Sequence, residues 1–404
     1  MTNDGRKILM LLGGIYYLKP AIEAAHELGY YVITADYLPN NIAHQWSDEF
    51  VNVSIIDKEA VLEVASKKKI DGILSYAVDP GVETAAYVAE KLGLPSVGPY
   101  QSVKILQNKA LFRKFLKEHN FNTPFAESFY NYEDVLSNIK KIVFPVIVKP
   151  VDSAGSKGVT RVDDISYLKK AVEYAQKYSH NNGEFIIEEF IELSGYQSGS
   201  DSFSINGKMV FTTFDDQHFD INSSNPYTPA MHVWPSSMSI NAQTYLKSEI
   251  QRLISLLNMQ TSIYNIEARV GVDGKAYIME CSPRAGGNRI SELIRMATGV
   301  DMITACVKAS MGEIVTVQSK PFDGYWINLI VHSNRDGVYH GYAINESLKN
   351  NIKDIVMYSK AGDRVNKFAS AGAVVGSVFF RFDNAPEINT SYSYQDNFIK
   401  VNIG

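Results

Sequence analysis

The stretch Tyr264-Asn265-Ile266-Glu267-Ala268-Arg269-Val270-Gly271-Val272-Asp273-Gly274-Lys275-Ala276-Tyr277-Ile278-Met279-Glu280 reads as one tight hairpin. Residues 264–270 and 275–280 have strand character, and an Asp-Gly pair between such runs is a strong signal for a two-residue turn. If Val272 faces Lys275, counting outward sets Glu267 opposite Glu280. Directly opposed residues have Cβ atoms about 5 Å apart, and like charges placed so are destabilising. A hard divalent cation would relieve the repulsion, with room left for phosphate oxygens. A solvated acidic face is the plainer alternative.

The rest of the chain bounds these readings. Its 404 residues are too many for one core. A hydrophobic share of 45% and a charged share of 21% are those of an ordinary globular protein. A net charge of −5 gives no electrostatic case for nucleic acid or an anionic membrane. Cys281 and Cys306, without CxxC spacing, provide neither a disulfide framework nor a zinc site. With no signal peptide or membrane-length apolar run, the expected location is the cytoplasm.

Residues 1–99 alternate strand and helix: 8–12, 20–28, 31–35, 59–68, 70–75 and 81–92. Such alternation predicts an open parallel sheet with helices on both faces. Residues 102–119 read as a helix and 144–150 as a strand ending in Lys149-Pro150. A small-residue loop, Asp152-Ser153-Ala154-Gly155-Ser156-Lys157-Gly158, follows. It is either a surface turn or a cradle of backbone amides for phosphate, with Lys149 as the positive charge. Residues 215–239 are polar and aperiodic, as a functional or mobile loop would be. The last eighty residues are rich in strands, so the fold class is mixed, α/β then α+β.

After Glu280 the chain reads Cys281-Ser282-Pro283-Arg284-Ala285-Gly286-Gly287-Asn288-Arg289 and turns into a helix. Backbone N–H groups and a guanidinium are thereby set beside the two acids, which suits a phosphoryl group or an oxyanion. Here the chain resembles the ATP-grasp carboxylate–amine ligases, whose signature is an acid on one strand, a second on the next, then Asn-Pro-Arg and glycines. Ser282 departs from that pattern, standing where the asparagine is usual; Asn288 or water is the substitute the resemblance leaves.

The resemblance implies a pre-ATP-grasp domain at 1–99, a two-lobed ATP-grasp domain at 100–318 with its small lobe at about 122–190, and a C-terminal strand-rich subdomain at 319–404. It implies ATP with Mg²⁺ or Mn²⁺, the metal held by Glu267, Glu280 and Ser282. Lys109, Lys149, Ser153, Gly155, Ser156 and Gly158 would meet the phosphates. Glu188, Glu189, Phe190 and Ile191 would form the adenine hinge, with Glu188 on the exocyclic amine and the backbone of Glu189 and Ile191 on the base edge. Gln197 would meet the ribose. Arg284, with the Gly286 and Gly287 amides, would hold the substrate carboxylate or oxyanion, and His232 would orient or deprotonate the amine. Gly13, Gly14, Tyr16 and Asp79 are candidates from the first domain.

The implied reaction joins a small-molecule carboxylate to an amine, amino-acid or peptide-like, through an acyl phosphate, in a protein whose relatives are often dimers. A purine-pathway or biotin-carboxylase-like enzyme using formate, bicarbonate or glycine is the alternative, and a non-catalytic nucleotide-binding regulator a second. A nicotinamide-binding sheet is disfavoured, because Gly13-Gly14-Ile15-Tyr16-Tyr17 lacks the third glycine and sets bulk where pyrophosphate needs backbone. His218 and Cys281 are weaker candidates, Cys281 reading as a small buried residue with no histidine nearby in sequence.

Overall fold

The computed structural model describes residues 5–153, 155, 157–180, 182–370, 372–386 and 395–404. Ser156 of the phosphate loop lies outside them.

The first sheet is parallel throughout, in the order Glu49–Asn52, Tyr31–Asp36, Ile8–Leu12, Gly72–Leu74. Ile8–Leu12 is buried at every position, the continuous apolar run expected of a strand covered on both faces. The edge strand Glu49–Asn52 goes unread in sequence because it is polar and only half buried. Helix Asp79–Leu92 starts two residues before its apolar pattern does, with Pro80 in the first turn, where a missing N–H costs nothing. The core of this sheet continues into helices Ile290–Thr298 and Met302–Ser310, with Leu11, Ile22, Leu293, Ile294 and Ile303 in one buried cluster.

Residues 102–119 do not form one helix. Tyr100–Gln107 and Lys109–Glu118 are separated at Asn108, whose extended backbone (φ −106°) and side chain, accepting from the Leu111 N–H at 3.0 Å, cap the second helix. That break sets Lys109 at a helix N-terminus.

A four-stranded antiparallel sheet follows, ordered Ala126–Phe129, Phe185–Glu189, Val146–Pro150, Thr160–Val162, with helix Leu168–Lys177 packed on it through Leu168, Ala171, Val172 and Ala175. The next sheet is ordered Lys208–Thr212, Ser198–Ile205, Ser262–Val270, Ala276–Ser282. A five-stranded sheet closes the fold, ordered Asp216–Phe219, Pro229–Trp234, Tyr325–His332, Val374–Phe382, Ile352–Met357, beside a small sheet of Arg364–Val365, Gly337–Ile344 and Ile399–Ile403.

Two of those five strands come from the polar stretch expected to be a loop, so the C-terminal sheet draws on residues outside 319–404. Their alternation is hidden because their buried side chains are polar: Asp216, Gln217, His218 and His232 are all nearly inaccessible. Among the described residues no helix is long and apolar enough to cross a membrane.

Candidate active site

The hairpin sets Glu267 opposite Glu280, but by a route other than the simple count. The turn has three residues between Gly271 and Lys275, closed by Gly271 N–H to Lys275 O at 2.9 Å, with Gly274 at φ 76°. Val270 therefore faces Ala276 and Ala268 faces Ile278, one residue out of step with a two-residue turn. A bulge between Glu267 and Ala268, with Met279 as the extra residue, restores the step.

Both acids are half buried, and among the described residues neither has an ion-pair partner. Burial and then the neighbouring Glu280 raise the carboxyl of Glu267 above its ordinary range, against the pull of Arg269, Lys149 and Lys109. Two carboxylates set opposite each other on one hairpin are a donor set that fits Mg²⁺ with phosphate oxygens completing its shell. Among the described residues no cluster of three or more Asp, Glu, His or Cys side chains could add to it.

Ser282, expected as the third ligand, is committed elsewhere. Its hydroxyl donates to Asp79 Oδ1 at 3.0 Å and accepts from Gln107 Nε2 at 2.8 Å. Arg284 is committed too, with Nε and Nη2 each 2.7 Å from an Asp79 oxygen and Nη1 on Ala285 O at 2.9 Å. A fork-to-fork pair of this kind is strong and directional. Burial raises the Asp79 carboxyl, but Arg284 and the Ser282 hydroxyl bring it below its ordinary value. The Ala285 N–H donates to Tyr76 O at 2.7 Å. The first sheet is thus fastened to the turn after the second acid, and Arg284 meets a substrate only by sharing Asp79 with it. Asn288, the other substitute ligand, accepts from the Tyr17 hydroxyl at 2.6 Å.

The Gly286 N–H, expected to hold an oxyanion, instead donates to Asp201 Oδ1 at 2.8 Å. Asp201 also accepts from Asn265 Nδ2 at 3.0 Å and Ser291 Oγ at 2.6 Å. A Cβ at Gly286 would lie 2.7–2.9 Å from Ile290, Asn265 and Asp201, so only glycine lets the turn reach this anchor.

On the sheet that carries Lys149, its Nζ lies 2.7 Å from Glu188 Oε2, and Arg113 Nε, from helix Lys109–Glu118, lies 2.9 Å from Oε1. Glu188, expected on the adenine amine, is instead the counter-ion of two buried cations. Against its burial, Arg113 and Lys149 hold its carboxyl down at about 2. Burial in turn lowers Lys149, opposed by Glu188. Arg113 escapes the reading of the sequence; its place four residues after Lys109, on the same helix face, is the signal that could have found it. Its Nη1 is buried without a hydrogen-bond partner among the described residues.

Lys109 Nζ donates to Ser153 O at 2.9 Å, tying the helix start to the phosphate loop. Gly155 and Gly158 take the left-handed backbone at φ 70° and 72°. The Glu189 N–H is taken by Phe125 O at 2.9 Å and the Phe190 N–H by Pro145 O at 3.1 Å, so the Glu189 amide is not free for a base edge. Phe190 lies under the Arg161 guanidinium at 4.3 Å, and Ile191 is buried.

Gln197 is buried rather than presented to a ribose. Its Nε2 donates to Gln217 Oε1 at 2.8 Å and to Glu267 Oε2 at 3.4 Å, and its Oε1 accepts from Arg269 Nε at 2.6 Å. Gln197 therefore steadies Glu267. The contact between Gln217 and the backbone is so close that a Cβ on Gly199 would lie 1.8 Å from Gln217 Nε2.

His232 is buried, with Nδ1 2.6 Å from Asp215 Oδ2 and its ring stacked 5.8 Å from Trp234. Asp215 is fixed by Ser198 Oγ at 2.9 Å and the Gly199 N–H at 2.6 Å. This inward network, between the closing sheet and strand Ser198–Ile205, gives His232 a packing role in place of the open one expected. His218 packs against Tyr196 at 4.4 Å, and burial lowers it to about 4. Cys281 is buried, and burial with Glu280 raises its thiol, so it is no nucleophile.

The family model of the ATP-grasp domain matches residues 142–292, the span that holds the phosphate loop, Glu188, both hairpin acids and Arg284. The chain carries an ATP-grasp domain. It is 26% identical over 267 residues to the carbamoyl phosphate synthase large chain of a Thermoanaerobacter species, covering 64% of this chain and 23% of that one. It is 29% identical over 194 residues to the formate-dependent phosphoribosylglycinamide formyltransferase of a Nitratiruptor species, covering 48% and 50%. The chain thus matches between about a quarter and a half of these relatives' lengths. The fold superposes on the L-amino acid ligase of Bacillus licheniformis with a TM-score of 0.80 at 20% identity, covering 99% of each chain. It also superposes on the phosphoribosylglycinamide synthetase of Anaerococcus prevotii with a TM-score of 0.75 at 18% identity, covering 99% and 100%. The open parallel sheet and antiparallel sheets of this chain are therefore those of the two solved structures over their whole length.

Proposed function

We propose that the protein is an ATP- and Mg²⁺-dependent ligase that joins a carboxylate to an amine, releasing ADP and phosphate. The observation that carries this reading is the pair Glu267 and Glu280, opposed on one hairpin and without an ion-pair partner among the described residues. Lys109 and Lys149, close enough to bias Glu267, would bind the phosphates of ATP. When bound, Mg²⁺ would neutralise phosphate charge between the two acids. The fixed cations do the rest. Lys149, held by Glu188, and Lys109, held by Ser153 O, are oriented before substrate arrives, so little reorganisation remains for the reaction.

The carboxylate would attack the γ-phosphate to give an acyl phosphate, which the amine would then open with loss of phosphate. Arg284, positioned by Asp79, stands beside the second acid to receive the carboxylate. Among carboxylate–amine pairs, amino acids are the substrates we favour, in line with the full-length likeness to an L-amino acid ligase. The first sheet's contacts to the turn favour a substrate bound between the two. A phosphate-release screen of amino acids, singly and in pairs, with ATP and Mg²⁺ tests the reading. Release dependent on one acid or one pair is expected; ATP binding with no release from any mixture would leave a nucleotide-binding regulator instead.

A further inference from the structure

Strand Ser262–Val270 carries an arginine as well as an acid. Its pairing with Ser198–Ile205 sets Glu267 opposite Gly199 and Ala268 opposite Ser198, and the same register brings Arg269 beside Gln197. Glu267 and Arg269, two residues apart, share one face of the strand. On the other flank Arg269 faces Tyr277. Its Nε donates to Gln197 Oε1 at 2.6 Å, and Gln197 is itself held by Gln217 at 2.8 Å. The half-buried guanidinium is thus fixed through Nε alone. Nη1 and Nη2 remain accessible and have no hydrogen-bond or ion-pair partner among the described residues.

The strand supplies a ruler. Just past Arg269 its end meets the hinge segment: Val270 O accepts from the Ser194 N–H at 2.8 Å, Glu192 O accepts from the Val272 N–H at 3.0 Å, and a Cβ on Gly271 would lie 3.2 Å from Ile191. The hinge amides of Glu189 and Phe190 are taken, while that of Ile191 has no partner among the described residues and is the donor left for a base edge. From Gly271 to Glu267 the strand runs four residues, about 13 Å, with Arg269 midway. A nucleotide with its base at Ile191 and its phosphates at Glu267 sets its sugar beside Arg269.

Glu267 and Glu188 lie close enough to act on the Arg269 charge, so the guanidinium is short of acceptors rather than of an anion. Its two Nη groups form a planar fork of donors with no acceptor of its own, the complement of two vicinal hydroxyl oxygens. Gln197, expected on the ribose, has its amide consumed by Arg269, Gln217 and Glu267. Resting on the ligase reading, we propose that Arg269 is the ribose-binding residue, its Nη fork donating to the 2′- and 3′-oxygens, and that Gln197 is the residue that positions it.

Calorimetric titration of ADP and of 2′-deoxy-ADP, each with Mg²⁺, into wild type and Arg269→Met tests this. The wild type should bind 2′-deoxy-ADP about tenfold more weakly than ADP. In Arg269→Met, ADP should weaken by about that factor or more and the preference should disappear. Arg269→Lys keeps the charge and the stem but not the fork, so it should lose the preference too, and it carries the test if the methionine variant shows no melting transition. No preference in the wild type overturns the ribose contact. So does a preference of full size in either variant, even with both nucleotides weakened, which would place the fork on the phosphates. A preference that depends on Arg269, without phosphate release from any amino-acid mixture with ATP and Mg²⁺, would overturn the ligase reading and leave the contact standing. No ADP binding to the wild type would overturn both.

Discussion

Glu188 and the Glu267–Glu280 pair are both acids at the candidate site, and their surroundings treat them in opposite ways. Glu188 is sandwiched between Lys149 and Arg113, which hold its carboxyl at about 2 despite burial. Glu267 has burial and Glu280 against it, and its carboxyl is raised. The cluster around Glu188 thus balances its charges within the chain, while the hairpin pair has no ion-pair partner among the described residues. Charge left unpaired at some cost to the fold marks where a ligand belongs.

The sharpest break of this contrast is Glu280→Gln. It should cut ATP turnover by roughly two to three orders of magnitude while leaving the metal-free protein as stable as the wild type or more so, read by phosphate release and thermal melting. Full turnover in a folded variant would remove the metal assignment. Glu188→Gln should do the reverse to stability. It leaves two buried cations without their acid, a loss of about 3–5 kcal/mol, measurable by urea unfolding. A loss near zero would mean the cluster around Glu188 is not internally balanced.

Mg²⁺ should sharpen the comparison further. At a hundredfold excess over its dissociation constant it should stabilise the wild type by about 2.7 kcal/mol and Glu267→Gln much less, seen as a shift of the unfolding midpoint. The smallest effect is in pH dependence. The stability Glu188 provides is present above the ordinary carboxylate value, about 4.3, and is lost as pH falls from there through about 2. The cost of ionising Glu267 runs the other way, absent below the ordinary value and growing as pH rises through it. The stability of the wild type minus that of Glu188→Gln should therefore rise with pH across the acid range. The same difference taken with Glu267→Gln should fall.

Much of the fold was legible in the sequence because apolar periodicity reports burial directly, as in Ile8–Leu12. The opposition of Glu267 and Glu280 was also legible, though for a reason that does not generalise: a turn one residue longer than Asp-Gly implies and a bulge at Met279 cancel. What stayed hidden was polar and long-range. Asp79 and Arg284 pair across 205 residues, and no local pattern announces such a contact. The strands within 215–239 were invisible because Asp215–His232, Asp216–Ser236 and Asp220–His332 satisfy one another inside the sheet. The partners that occupy the polar groups of Ser282, Gln197 and Gly286 could not be read from motif spacing.

The Asp79–Arg284 fork carries a rule for recombining this protein with its relatives. A chimera that exchanges the first hundred residues inherits or loses one half of a partly buried ion pair, so transplants should tolerate wide sequence divergence elsewhere in the sheet yet fail unless an acid begins the helix that replaces Asp79–Leu92. The unit of inheritance here is the seam between the first sheet and the turn after Glu280, and its two halves must travel together.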